Sequence, residues 1–203
     1  MKRSALALAV LLAVAAFPAA SSAIPVELAL WSPVQLASPD EDVCGGRLAL
    51  YGVNRDFTGL DLSVWGVAEG TFKGLQIGLL YDETAGDFKG VQDTWVVSRV
   101  LGNLYGIDWG WINLVDGDTY GLVGGLVNLA GGDLYGLELG AYSQVRGTMQ
   151  GVQFGLVNNV SQLTGLQLGL VNIADLGRGL QIGIINIFGD GFFPVFPVVN
   201  FNF

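Results

Sequence analysis

Three tyrosines, Tyr105, Tyr120 and Tyr135, stand fifteen residues apart, and the aspartates Asp56, Asp87, Asp118 and Asp133 recur in the same frame. Rings brought side by side form a strip that can bind sugar rings or a partner surface, or that simply stacks on itself. Carboxylates brought side by side, as Asp118 and Asp133 would be, can share a hard cation through oxygen, or each can cap its own turn. The aspartates fall in turn positions, so capping is the reading adopted and no metal site is assigned. Acid pairs can also cleave glycosidic bonds when two carboxyls flank a substrate ~5 to 9 Å apart. Here the acids sit in repeated turn positions and no pair stands out. The chain has no histidine, which removes the commonest general base and metal ligand. Cys44 is the sole cysteine, so no intrachain disulfide forms, and it reads as a small apolar residue. The glycines punctuate strands and never open a helix, which excludes a phosphate loop. No catalytic residue and no cofactor is assigned.

What would position such residues is a repeat. Gly45, Gly59, Gly74, Gly90, Gly106, Gly121, Gly136, Gly151, Gly165 and Gly179 each open a short unit, at intervals of 14 to 16 residues. Glycine so regular over so much of the chain marks a repeat architecture. With the opening glycine as position 1, positions 2, 4 and 6 are apolar in most copies, as in Leu166, Leu168 and Leu170 or Leu180, Ile182 and Ile184. Position 3 is usually Gln or an acid, as in Asp61, Gln76, Asp108, Glu138, Gln153, Gln167 and Gln181, and position 5 is small. Apolar residues two apart describe a strand with one buried face and cannot share a helix stripe. The leucines of positions 2, 4 and 6 are therefore expected to turn inward. Trp109 and Trp111 then become core residues of a wider coil.

Another large apolar residue stands two places before most opening glycines: Phe57, Phe72, Phe88, Leu104, Leu134, Met149 and Leu163. Its parity is opposite to that of the leucine after the glycine, and one continuous strand cannot bury both. The chain must bend near the glycine and again near position 8, where Asn113, Asn128, Asn158, Asn172 and Asn186 recur. Asn tolerates the left-handed backbone of a corner, and its amide can bond the next Asn ~4.8 Å away. Two bends in each short unit predict an all-β, single-domain β-solenoid of about ten stacked coils. An antiparallel outer-membrane barrel is the alternative. Its connections alternate between two ends, and its strands run ~9 to 11 residues. Here the connections look alike and the apolar runs are shorter, although Val199, Phe201 and Phe203, alternating with Asn at the end, suit a barrel strand. The copy at 90–98 is a residue long and carries Asp93 at an apolar place, so a bulge is expected there.

Residues 1–23 combine Lys2 and Arg3, an apolar run over 5–17 and a small-residue site at Ser21-Ser22-Ala23. That is the pattern of a secretory signal peptide, with cleavage expected near Ala23. No cysteine stands directly after the site, so lipid anchoring through one is not expected. Without Lys2 and Arg3, seven of the nine basic residues remain against 18 acidic ones, a formal charge of −11. Such a balance disfavours nucleic acid and anionic lipid as partners. No later apolar run approaches the ~18 residues of a spanning helix. Segments 24–44 and 191–203 flank the array at 45–190. The first alternates, the second holds Pro194, Pro197 and several phenylalanines, and both are expected to cap the array's exposed ends.

The copies GLQIGLLY, GVQFGLVN, GLQLGLVN and GLQIGIIN, with LALWSPVQLASPDEDVCGGRLALYG ahead and FFPVFPVVNFNF behind, resemble a family of bacterial surface-repeat proteins. Its members, described from Leptospira and other bacteria, carry tandem Gly-Leu-Gln-Leu-Gly-Leu-Val-Asn units after a signal peptide. The likeness runs from about Val26 to Phe203 and departs at 90–98 and at Tyr142-Ser143, which replace Val-Asn. It implies a protein of the cell envelope or surface and brings no catalytic residue. The expected function is non-enzymatic, structural or adhesive, with envelope components, or host or matrix glycans and proteins, as partners. The Tyr105, Tyr120 and Tyr135 strip is the candidate contact. An integral outer-membrane barrel, structural or pore-like, is the alternative.

Overall fold

A computed structural model describes residues 23–203. The expected signal peptide lies outside these residues except for Ala23. The strands are β1 (Ile24–Trp31), β2 (Val34–Gln35), β3 (Val43–Asn54), β4 (Phe57–Ala68), β5 (Phe72–Thr84), β6 (Phe88–Val100), β7 (Leu104–Val115), β8 (Thr119–Ala130), β9 (Leu134–Leu168), β10 (Val171–Phe188) and β11 (Val195–Asn202). They follow chain order from β3 to β11 in one sheet, with β1 beside β3 and β2 outermost. Successive strands from β3 to β10 pair in parallel, and β1 is parallel to β3. Opening glycine meets opening glycine at each step, for example Gly106 with Gly121 and Gly121 with Gly136. Each module thus lies in phase on its predecessor, which is a β-solenoid. Parallel neighbours cannot zigzag around an antiparallel barrel, so that alternative fails. The segments before and after the array pair with its ends. β2 runs antiparallel on β1, and β11 runs antiparallel on β10, where Asn200 is buried and Phe201 and Phe203 face outward.

The side that turns inward is the reverse of the expectation. Gln76, Gln92, Gln153 and Gln167 at position 3 are fully buried, as are Asn113, Asn158, Asn172 and Asn186 at position 8. With them lie the residues two places before the glycine, from Phe57 to Leu163, and a row of Ala or Val at position 10, including Ala68, Val100 and Val160. The residues of positions 2, 4 and 6 face out instead: Leu75, Ile77, Leu79, Leu126, Phe154, Leu156, Leu170 and Ile184 are all exposed. Trp109 and Trp111 are outside as well, at 50% and 60% exposure. Hydrophobicity misleads here because a buried amide is inexpensive when its donors and acceptors are matched, and stacking in register matches them.

Glycine is required at position 1 on two grounds. From Gly45 to Gly165 the opening glycines hold φ between 135° and 151°, a region that L residues avoid. A Cβ on Gly121 would also stand 1.9 Å from the carbonyl oxygen of Gly106 in the preceding rung. The last rung departs from this scheme. Gly177, with φ 128°, takes the place held by Leu163 one rung earlier, and Gly179 lacks the positive φ. No asparagine is left-handed; the sole non-glycine with positive φ among the described residues is Val198. The expected backbone at the asparagine corner is therefore wrong. The inward parity switches between position 3 and position 8, from Gln167 to Asn172, so the corner precedes the asparagine. The bulge expected at 90–98 is shared by two rungs. Leu80 in β5 and Val96 in β6 are each one residue extra, with register shifts on entering β5 and on leaving β6. Stacking one bulge on another keeps the ladder between them paired.

Candidate functional site

The interior holds two amide ladders. At position 8, Asn113 Nδ2 donates to Asn128 Oδ1 at 2.8 Å, and Asn158 to Asn172 and Asn172 to Asn186 at the same distance. The same amides also donate to carbonyls of Gly124, Leu168 and Ile182. A Cβ on Gly125 at position 5 would sit 2.6 Å from Asn113 Nδ2, so the small residue there clears space for the ladder. At position 3, Gln181 donates to Gln167, Gln167 to Gln153 and Gln153 to Glu138, each at 2.8 Å. Asparagines donate toward the C-terminal end and glutamines toward the N-terminal end. Tyr142-Ser143 interrupts the first ladder: the Ser143 hydroxyl and Asn158 Oδ1 are both buried without a partner.

At other interior positions charged groups stand among the amides. Arg47 grips Asp61 with two 2.7 Å bonds, both side chains fully buried, and its guanidinium lies 5.0 Å over the Phe57 ring. Asp82 accepts from Ser63 and Thr94, Asp108 from Ser98, and Glu138 from Gln153. Burial pushes Asp108 and Glu138 up to about 7. Asp82 is raised as well, by burial first and by the neighbouring Asp61 charge second. These carboxyls are sealed between the walls of the coil and line no cleft that admits a substrate. The chemistry open to them is protonation.

The outer surface is divided sharply. In positions 2, 4 and 6 of every rung Asp93 is the sole charged residue. Around the far corner, position 7 carries Tyr51, Trp65, Tyr81, Val97, Ile112, Val127, Tyr142, Val157, Val171 and Ile185, with no charge. The next outward row adds only the Glu83–Arg99 contact at 4.0 Å. All five tryptophans, Trp31, Trp65, Trp95, Trp109 and Trp111, are exposed on this apolar side. The remaining exposed charges lie on the opposite edge, in the turns and the row just before the opening glycines. Two concave regions mark the position 2 to 6 face. An open groove of about 970 Å³ lies between the β1–β2 hairpin and the first rungs, lined by Leu28, Leu36, Leu48, Leu62, Ile77 and Trp95 among others. A depression of about 640 Å³ lies beside Trp111, Leu126 and Phe154.

Tyr105, Tyr120 and Tyr135 are brought together as expected from their spacing. Their ring centroids are 5.0 and 4.9 Å apart with interplanar angles of 3°, and Lys89 Nζ lies 5.1 Å from the Tyr105 centroid. Both faces of the Tyr120 ring are covered by its neighbours, so the middle of the strip leaves no face for a sugar to stack on. The turn aspartates also form a column. Asp56, Asp87, Asp118 and Asp133 accept from the backbone N–H of Thr71, Asn103, Asp133 and Thr148, each one rung ahead. They fasten the next turn, not their own. Among the described residues no three Asp, Glu or Cys side chains are grouped to hold a metal ion.

Sequence reasoning missed the outward apolar rows and the buried amides together, since they are one error. The signal that would have found them is sameness. A solvated row has no need of Gln at position 3 and Asn at position 8 in copy after copy, whereas a stacked row does. Compared with protein-family models, curated proteins and solved structures, the chain matches none.

Proposed function

We propose that this chain is an exported, non-enzymatic repeat protein of the cell envelope with a structural role. The observation that carries the reading is the division of its surface: rows with no charge but Asp93, Glu83 and Arg99 cover two walls and the corner between them, while the other exposed charges lie along the turn edge. Surface this apolar and this continuous belongs to a protein that works against another phase or body. The signal-peptide pattern at residues 1–23 and the likeness to envelope surface-repeat proteins agree with it. The buried acids and amides serve packing, and the Tyr105–Tyr135 strip is better suited to bracing neighbouring rungs than to holding a ligand. Cell fractionation combined with protease shaving of whole cells tests the proposal. The expected result is a processed protein, beginning near Ile24, in the envelope fraction. An unprocessed protein in the cytosol would sink it.

A further inference from the structure

We infer that the solenoid lies on its side in one leaflet of a lipid membrane, its apolar corner immersed and its turn edge facing water. The inference rests on the same outer surface as the envelope reading, but it names the phase that covers it.

The dimensions favour lipid over a second copy of the chain. Ten rungs at ~4.8 Å and four residue steps at ~3.3 Å give a position 2 to 6 face of ~45 by ~13 Å. Two such faces pressed together bury ~1,200 Å², the low end for a stable interface of ~1,200 to 2,000 Å². The dimer would also leave the other wall bare, with Tyr51, Trp65 and Tyr142 in water. A fluid covers both walls and the corner at once. The ~13 Å depth is close to half of a ~30 Å hydrocarbon core, which is one leaflet.

Charge falls in the same order. At the top of the apolar face runs the row one residue before the opening glycines, in which Lys73, Lys89, Tyr105, Tyr120, Tyr135 and Arg178 stand with Cys44, Thr58, Gln150 and Thr164. Tyrosines and basic side chains with long apolar stems suit the headgroup level. Above it stand the turn aspartates. Below it only Asp93 and the Glu83–Arg99 contact interrupt the uncharged surface. Backbone groups demand partners in hydrocarbon. The parallel ladders provide them along the array, β1 and β11 pair with its two terminal strands, and β2 pairs with part of β1. The Asn and Gln ladders and the buried acids are inside the coil and so are kept away from lipid.

The exposed tryptophans report the outcome directly. The processed protein is mixed with phosphatidylcholine vesicles and followed by flotation and by tryptophan emission. The expected result is co-flotation that persists in about 1 M salt, where the Debye length is ~3 Å, with emission shifted to the blue and quenched by lipids brominated on their acyl chains. Leu126→Asp combined with Leu156→Asp, both at exposed positions, should weaken binding at least tenfold with an unchanged circular dichroism spectrum. Asp93→Leu should tighten it several-fold, and this variant decides the matter if the double substitution fails to fold. Protein that stays below the vesicles, or that salt releases, overturns the inference. So does a blue shift that appears without lipid and grows with protein concentration, since a second copy would then be the cover. Binding to vesicles by a protein found in the cytosol would defeat only the envelope reading; an envelope protein that ignores vesicles would defeat only this one.

Discussion

Gly121 illustrates how one atom is excluded. An added methyl would meet the Gly106 carbonyl oxygen while forcing an L residue to φ 144°. Gly121→Ala should therefore cost at least ~1–3 kcal/mol from backbone strain alone, read as a lowered urea midpoint. Leu170→Ala, on the outer wall and half exposed, should cost under ~1 kcal/mol in water. The buried Leu163→Ala should cost ~2–5 kcal/mol. An inward leucine row predicts comparable losses for the two leucines, so the pair tests the inverted coil directly. Ser143→Asn supplies the missing member between Asn128 and Asn158, giving a partner to Asn158 Oδ1. It should stabilise by ~0.5–1.5 kcal/mol for the hydrogen bond gained, measured by chemical denaturation. The position of each of these residues was legible in the sequence. The direction of its side chain was not, because alternation fixes which residues share a face but not which face is inside.

At the level of the rung, the buried acids make stability depend on pH. Asp108 moves from an ordinary 3.8 to about 7, and Glu138 from 4.5 to about 7, both through burial. A carboxyl raised in the folded chain binds its proton more tightly there than when unfolded. Its contribution is fully present below about pH 4 and fades as pH climbs through about 7. The melting temperature should accordingly be higher at pH 5 than at pH 8, with each acid worth on the order of 2 kcal/mol. Glu138→Gln extends the glutamine ladder by one neutral amide, and it should flatten this slope and raise stability at pH 8. An equal melting temperature at both values would refute the assignment. The strand period, the parallel stacking and the positions of the elements could all be read from the glycine spacing. Even the doubled bulge was there, in two successive intervals of sixteen residues from Gly74 to Gly106. What could not be read was the unlike last rung: Gly179 fits the spacing and lies opposite Gly165, yet the positive φ passes to Gly177, which the spacing does not mark.

Across the whole molecule, rungs from Gly59 to Gly165 meet their predecessors through the same glycine contact, and those around Gly151 and Gly165 share the same amides, so a further copy there would find its bonding partners already in place. A second copy of residues 151–164 inserted before Gly165 should fold, keep the far-ultraviolet spectrum of a β protein, and lengthen the particle by ~4.8 Å in small-angle scattering. An insert of half that size should unfold it, because the following rungs would lose their phase. The repeat thus behaves as a ruler graduated in single coils. In-frame gain or loss of one unit in the gene would change the protein's reach by a fixed increment and leave everything else about its surface as it was.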